Sequence, residues 1–242
     1  MNKNIYSLDA MVTIPKPTFI LTDIEGTTTS ISFVTEVLFP YFRTNIDRLL
    51  NLKSHKNVAE AIQQTKELAL SEENQVLNTE NEVLEKWKQW SLEDRKVTPL
   101  KTVQGVLWDE GYKDGTLKGH VFDDVVDSLK KWKNFGIQMG VFSSGSVAAQ
   151  KLIFGYSIAG DLTPYFSAYF DTTTGGKRDT ETYQKIADSL QVKPQEIVFL
   201  SDIQQELEAA SNAHFQTIQL CREGAVATWP LAVNNFQEIH FK

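Results

Sequence analysis

Short apolar runs of strand length, separated by stretches of helical periodicity, are the feature that most narrows what this chain can fold into. The runs are Phe19-Ile20-Leu21, Ile137 to Phe142, Tyr169-Phe170, Ile197 to Leu200 and Phe215 to Leu220. Between the later ones, Tyr183, Ile186, Ala187 and Leu190 follow the three- and four-residue spacing of one buried helix face. Val125, Val126, Leu129, Trp132 and Phe135 do much the same. Strands alternating with helices build a parallel sheet covered on both faces. The expected fold is α/β, a doubly wound parallel sheet.

One gap breaks the rhythm. About 120 residues separate Asp23, at the end of the first strand, from Ser143, at the end of the second. A single crossover helix needs far fewer. Residues 35–115 are rich in Glu, Gln, Lys, Leu and Ala, strong helix formers, with almost no strand signal. They read as an all-helical insertion of about four helices into a core made of residues 1–34 and 116–242, with Asn74 to Asn81 as a loop. A chain of 242 residues suits one core plus an insertion.

Composition removes several function classes. Hydrophobic residues at 41% exclude wholesale disorder, and 24 basic against 31 acidic side chains, net −7, leave no basic stripe for nucleic acid. Cys221 is the only cysteine, so there is no internal disulfide, and four scattered histidines cannot build a Cys/His zinc cluster with it. Met1 to Thr18 lacks the apolar stretch of a signal peptide, and no run approaches the ~18 apolar residues of a membrane span. The expectation is a soluble, cytoplasmic protein without membrane or nucleic-acid partners.

Four strand ends carry residues capable of chemistry. The first runs into Asp23-Ile24-Glu25-Gly26-Thr27-Thr28-Thr29, where two carboxylates two positions apart ask for a cation or a proton between them. Taken alone, it also reads as a strand ending in a polar turn. The second gives Ser143-Ser144-Gly145-Ser146 at a helix start, suited to a phosphate, although Ser146 reads equally as an N-cap. The third is Gly175-Gly176-Lys177, a lysine that by itself is an ordinary surface charge. The fourth is Leu200-Ser201-Asp202, with Glu206 in the first turn of a helix expected from Gln204. An acid is favoured there whatever its function, which leaves the role of Glu206 open.

Together the four are far more specific than any one. Each follows a strand of one parallel sheet, so all gather at its carboxyl edge, where open α/β sheets bind ligands. Asp23, Glu25 and Asp202 supply hard oxygen ligands of the kind Mg²⁺ takes alongside a substrate phosphate. With Lys177 they make a phosphoryl-transfer site.

These four segments resemble the four motifs of the haloacid dehalogenase-like superfamily of phosphohydrolases. The resemblance implies an aspartyl-phosphate nucleophile at Asp23, phosphate ligands at Ser143 and Lys177, and a metal ligand at Asp202. Most phosphatases of that superfamily carry Asp two positions after the nucleophile, and here it is Glu25. The same departure marks the enolase-phosphatases of methionine salvage, which the chain resembles over nearly its whole length. The matching stretches include Asp23 to Thr28, Ile31 to Val34, Leu38 to Tyr41, Leu107-Trp108, Gly111-Tyr112, Phe142 to Val147, Ala149 to Leu152 and Leu200 to Asp202.

That family, acireductone synthases, enolises 2,3-diketo-5-methylthiopentyl-1-phosphate and removes its phosphate, giving 1,2-dihydroxy-3-keto-5-methylthiopentene. The resemblance implies one Mg²⁺ per subunit on Asp23, Glu25 and Asp202, and substrate contacts from Ser143, Ser144 and Lys177. It also implies a monomer, a helical cap formed by residues 35–115, and, for eukaryotic members, the nucleus beside the cytoplasm. Glu25, one methylene longer than Asp, is the residue best placed for proton transfer. Phe33, Phe39 and Trp108 are candidates to grip the methylthio tail, or plain core. Two other functions fit the same motifs, a general small-molecule phosphatase of this superfamily and a non-catalytic binding protein on its fold. Intact Asp23, Lys177 and Asp202 argue against the second.

Overall fold

A computed structural model of the protein describes residues 11–242. The reading of Met1 to Ala10 as part of a leaderless N-terminus lies outside the described residues. The chain opens with β1 (Val12–Ile14) and β2 (Phe19–Thr22), the latter buried throughout. The described residues divide into two compact units, one of Ser32–Lys118 and one of the residues up to Ile31 together with Gly119–Lys242.

The unit of residues 32–118 is all-helical. A π-helical segment, Phe33–Leu38, passes directly into α1 (Phe39–Asn45), a 3-10 segment follows at Ile46–Leu52, and then come α2 (Lys56–Glu73), α3 (Glu80–Leu92) and α4 (Thr98–Lys113). Phe42, Leu49, Val58, Trp87, Trp90 and Leu107 share its core. The indoles bury without orphaned donors, because Trp87 Nε1 donates to Thr65 Oγ1 at 2.7 Å and Trp90 Nε1 to Glu73 Oε1 at 2.9 Å. The loop expected over Asn74 to Asn81 is shorter than that. Asn74 ends α2 in the left-handed region, and Thr79 starts α3 by a reciprocal capping box with Glu82.

The other unit continues with α5 (Asp123–Asn134), β3 (Gln138–Phe142), α6 (Val147–Gly155), β4 (Ala168–Phe170), α7 (Thr180–Leu190), β5 (Ile197–Ser201), α8 (Gln204–Asn212), β6 (Gln216–Leu220), β7 (Ala232–Val233) and β8 (Ile239–Phe241). Six strands form one parallel sheet in the order β4-β3-β2-β5-β6-β7. The chain therefore winds outward from β2 on one side and returns to the other, which makes it an α/β doubly wound sheet with its switch point at β2. The register sets Leu21 beside Gly140 and Phe199.

One face of the sheet packs Phe19, Leu21, Phe142 and Phe199 against Tyr183 and Ile186 of α7 and Leu207 and Ala210 of α8. The alternate residues Ile20, Met139, Val141, Val198 and Leu200 are buried as well, so both faces are covered. Phe199 lies wholly inside, and truncating it to Ala would cost about 3–5 kcal/mol. Two details differ from the sequence reading. Phe135, expected on the buried face of α5, is the residue that ends the helix and is 47% exposed. The strands β1 and β8, which pair in parallel with Val12 beside Ile239, gave no periodic signal. Among the described residues no helix is long and apolar enough to cross a membrane.

Candidate active site

The loops that follow β2, β3, β4 and β5 all leave the same edge of the sheet. The Asp23 amide donates to Leu200 O at 2.9 Å and the Ser143 amide to Phe170 O at 3.3 Å, so each ladder extends one step into its loop. Past Asp23 the chain closes into a knot. Ile24 O accepts from the amides of Thr27, Thr28 and Thr29 at 3.2, 2.9 and 2.9 Å, and Gly26 N donates to Thr29 O at 2.7 Å. Gly26 has φ +71°, and a Cβ there would overlap the carboxylate of Asp202. Only glycine fits both the turn and the close approach.

Lys177 is the electrostatic centre. Its Nζ lies 2.6 Å from Asp23 Oδ1 and 2.7 Å from Glu206 Oε2, and all three side chains are at most 10% exposed. Tyr183 OH donates to the Lys177 carbonyl at 2.7 Å, fixing the backbone from which the lysine reaches inward. Ser201 Oγ donates to Glu206 Oε2 at 2.9 Å and accepts from the Ile203 amide at 3.1 Å, which orients the glutamate. Glu206, open in sequence, is thus an ion partner of the buried lysine. Lys177, which alone reads as a surface charge, is buried.

Burial draws the Lys177 ammonium down, but the Asp23 and Glu206 carboxylates outweigh it and hold it above its ordinary value. The acids feel the opposite pressure. Asp202 is pushed up to about 7 by burial and then by the Asp23 charge. Glu206 is also raised, by burial and by Asp23, against the pull of Lys177. One ammonium cannot neutralise the buried carboxylates of Asp23 and Glu206 together with that of half-buried Asp202, so the surplus negative charge calls for a proton or a cation.

Asp202 also carries a buried oxygen, Oδ1, with no hydrogen-bond partner, while its carbonyl accepts from Gln219 Nε2 at 3.1 Å. Glu25 is half-buried on the Asp23 loop. Among the described residues no three His, Cys, Asp or Glu side chains stand together as a metal-holding group, so the expected set of Asp23, Glu25 and Asp202 is not gathered in that form. An orphaned carboxylate oxygen beside surplus buried negative charge nevertheless fits Mg²⁺. That ion characteristically uses one or two carboxylates and fills its remaining positions with water and substrate phosphate.

The loop after β3 is held as tightly. Ser143 is buried, and its Oγ accepts from Gly145 N at 3.2 Å. Ser144 is half-buried, and Ser146 Oγ caps α6 by accepting from Ala149 N at 3.3 Å. Sequence reasoning missed two residues that set this loop. Gln150 Nε2 donates to Gly145 O at 2.9 Å and Phe170 O at 2.7 Å. Asp171 Oδ2 accepts from Val147 N at 3.0 Å while its Oδ1 accepts from Thr173 N at 2.9 Å, tying this loop to the one that leads to Lys177. Gln150 falls in a stretch already matched to the enolase-phosphatases; Asp171 carried no signal.

The three candidates for the substrate tail lie in the helical unit. Trp108 Nε1 donates to Leu38 O at 3.0 Å, Phe39 stacks on Trp108 at 6.4 Å, and Phe33 is buried.

Comparison with known proteins agrees with this geometry. Residues 18–214 match the family model described as haloacid dehalogenase-like hydrolase. The chain is 51% identical over 210 residues to enolase-phosphatase E1 of Picosynechococcus sp., covering 87% of this chain and 92% of the relative. It is 48% identical over 221 residues to enolase-phosphatase E1 of Pseudomonas fluorescens, covering 91% and 96%. The crystal structure of the UTR4 protein from Saccharomyces cerevisiae superimposes with a TM-score of 0.77 at 31% identity, over 92% of this chain and 99% of that one. On these grounds the chain belongs to the haloacid dehalogenase-like hydrolases and, among them, to the enolase-phosphatase E1 family.

Proposed function

We propose that this chain converts 2,3-diketo-5-methylthiopentyl-1-phosphate into 1,2-dihydroxy-3-keto-5-methylthiopentene and phosphate, in the salvage of methionine. The observation that carries the reading is the 51% identity to an enolase-phosphatase E1 over 87% of the chain, a length that neither unit supplies alone. The buried Asp23–Lys177–Glu206 arrangement supports it chemically.

Asp23, Asp202 and Glu25 are the residues we assign to one Mg²⁺ per subunit. When bound, the ion supplies a Lewis acid that withdraws charge from phosphoryl and ketone oxygens. Ser143, Ser144 and Lys177 bind the substrate. In the enolisation, Ser144 donates to the ketone oxygen, Glu25 is the candidate base for the proton of the neighbouring carbon, and that proton passes to the ketone oxygen to give the enol. In the transfer, an Asp23 carboxylate oxygen bonds to phosphorus as the bond from phosphorus to the substrate oxygen breaks, and the enediol departs with that oxygen. Water then attacks the aspartyl-phosphate at phosphorus, releasing phosphate and restoring Asp23. Lys177 offsets the repulsion between carboxylate and phosphate, and Glu206 keeps it charged and aimed.

In this reading residues 35–115 are the helical cap that the family resemblance implies. The protein acts as a cytoplasmic monomer on a small phosphorylated diketone, with no nucleic acid or membrane as partner. The comparisons give no support to a nuclear placement, the sequence relatives named above being bacterial.

The test is Mg²⁺-dependent phosphate release from the diketone phosphate, with enediol absorbance followed in parallel. The expected result is release accompanied by a transient enediol, both lost in EDTA. Phosphate without enediol would reduce the protein to a plain phosphatase, and no release from folded, metal-loaded protein would overturn the assignment.

A further inference from the structure

Arg222 is buried and has no role in the reaction assigned above, yet most of its hydrogen-bonding capacity is engaged. Nε donates to Thr27 O at 3.0 Å, Nη1 to Asp124 Oδ1 at 2.8 Å and to Asn234 O at 3.2 Å, and Nη2 to Asp124 Oδ2 at 3.0 Å. Asp124 Oδ2 accepts the Phe236 amide as well, at 2.7 Å. The rings of Phe122 and Phe236 lie 4.4 and 5.2 Å from the guanidinium carbon. A buried ion pair of this kind costs desolvation, and packed apolar side chains serve stability at least as well. What an apolar replacement cannot supply is a donor fixed in direction, and the planar guanidinium fork does supply one.

That direction leads to the nucleophile. Thr27 belongs to the knot that begins at Asp23, and Arg222 grips its outer side through the carbonyl. On the inner side the Thr27 amide is tied to Ile24 O, and Gly26 is pressed against Asp202 with no room for a Cβ. The loop is held at Thr27 O by Arg222, at Thr28 O by the Phe122 amide at 3.0 Å and at Thr29 by its Oγ1 bond to His120 O at 2.6 Å, while Asp202 leaves no room for a Cβ at Gly26. Together these fix one position, and among them Arg222 supplies the charged, rigid fork. That position sets both the aim of Asp23 and its separation from Asp202.

We infer that Arg222 is a positioning residue for phosphoryl transfer, acting through Thr27 O with Asp124 locking its fork. The inference rests on the reaction assigned above. Ser143, Ser144 and Lys177 stand on the loops after β3 and β4, which Arg222 does not touch, so its loss separates the rate of chemistry from substrate binding.

The experiment is single-turnover phosphate release from the diketone phosphate with wild type, Arg222→Lys and Asp124→Asn, together with steady-state KM. A single-turnover rate constant does not depend on the fraction of molecules folded, so a merely structural role leaves it unmoved. Lysine keeps the charge but cannot reach Thr27 O while holding both oxygens of Asp124. Its rate constant should fall about thirtyfold, within the hundredfold that a small misplacement costs, with KM within threefold. A fall of less than tenfold, or a KM that rises in proportion, overturns the inference. If Arg222→Lys does not fold, Asp124→Asn decides: a fall of at least threefold at unchanged KM supports it, and a smaller one refutes it. Wild type that releases no phosphate counts against the assigned reaction, whereas wild-type turnover with unaltered variants counts against Arg222 alone.

Discussion

Replacing Lys177 with Met tests the site's electrostatics in two independent ways. The side chain is close in length, so the change removes an ammonium 2.6 Å from Asp23 and 2.7 Å from Glu206 and leaves the space filled. Loss of a charged donor where phosphoryl charge develops costs ~3 kcal/mol or more, or at least about a hundredfold in kcat/KM. Stability should fall as well, because removing one partner of a buried pair costs about 3–5 kcal/mol. The deficit must depend on pH. Asp202 in the folded protein is already pushed up to about 7 by burial and the Asp23 charge, well above an unfolded aspartate. A carboxyl group whose folded pKa is raised holds its proton more tightly when folded, so its stability contribution is lost as pH rises toward and through that value. Without the ammonium the acids rise further. At pH 6 a proton replaces the missing charge, while at pH 8 it costs up to about 1.4 kcal/mol more per pH unit to keep it. Wild-type Asp202, at about 7, itself loses about half of this over the same window, so urea unfolding in EDTA at pH 6 and pH 8 should show the variant's deficit growing by about 1–1.5 kcal/mol. A deficit equal at both pH values would refute the charge argument. A loss below tenfold in kcat/KM would remove Lys177 from the substrate's contacts.

Three further outcomes follow from single contacts. Asp23→Asn should abolish turnover with the far-UV spectrum kept, and hydrolysis near the normal rate would show that another group attacks phosphorus. Gly26→Ala should cost about 1–3 kcal/mol in urea unfolding, since φ is +71° and the new methyl overlaps Asp202, and kcat should drop with it. An alanine variant of full activity and stability would contradict the close approach. His120 accepts the Ser30 amide at Nδ1 at 3.1 Å, and burial holds its imidazole below the ordinary value, against the pull of Glu223 and Asp123. Its contribution to stability is therefore complete above the unfolded pKa of about 6.5 and is lost as pH falls below it. His120→Gln should flatten the urea midpoint between pH 7 and pH 5, and an unchanged slope would exclude this histidine.

How much of this was legible in the sequence depended on how local the cause was. The five strands of the sheet that are three or more residues long were visible because each lies in or beside an apolar run, β2 and β5 being buried throughout and β4 only in part. The strands β1, β7 and β8 were not, being two or three residues long, and Val12 finds its partner at Ile239. Asp23, Ser143, Lys177 and Asp202 could be placed at one edge because parallel strands send their loops the same way. Glu206 stayed ambiguous because a helix's first turn favours an acid for reasons of its own. Asp171, Arg222 and Asp124 gave no sign, since their meaning lies in partners 24, 195 and 98 residues away.

The charge balance ties these pieces together. Asp23, Asp202 and Glu206 place three acids where water is largely excluded, and Lys177 answers for only part of that charge. A fold selected for stability alone would have little reason to keep such a surplus, because burying unneutralised carboxylates is among the costliest arrangements a core can hold. The surplus makes sense if positive charge arrives with the substrate. A divalent cation held by Asp202 and Asp23, as proposed above, would offset the acids and the phosphate together and free Lys177 to face the phosphoryl oxygens. Glu206 matters at that moment. In the proposed reaction Lys177 would give up Asp23 for the attack, and Glu206, fixed by Ser201 and 2.7 Å from the ammonium, would still hold it in place and charged. The second acid is what lets a single lysine shield the nucleophile at rest and serve the phosphate during transfer.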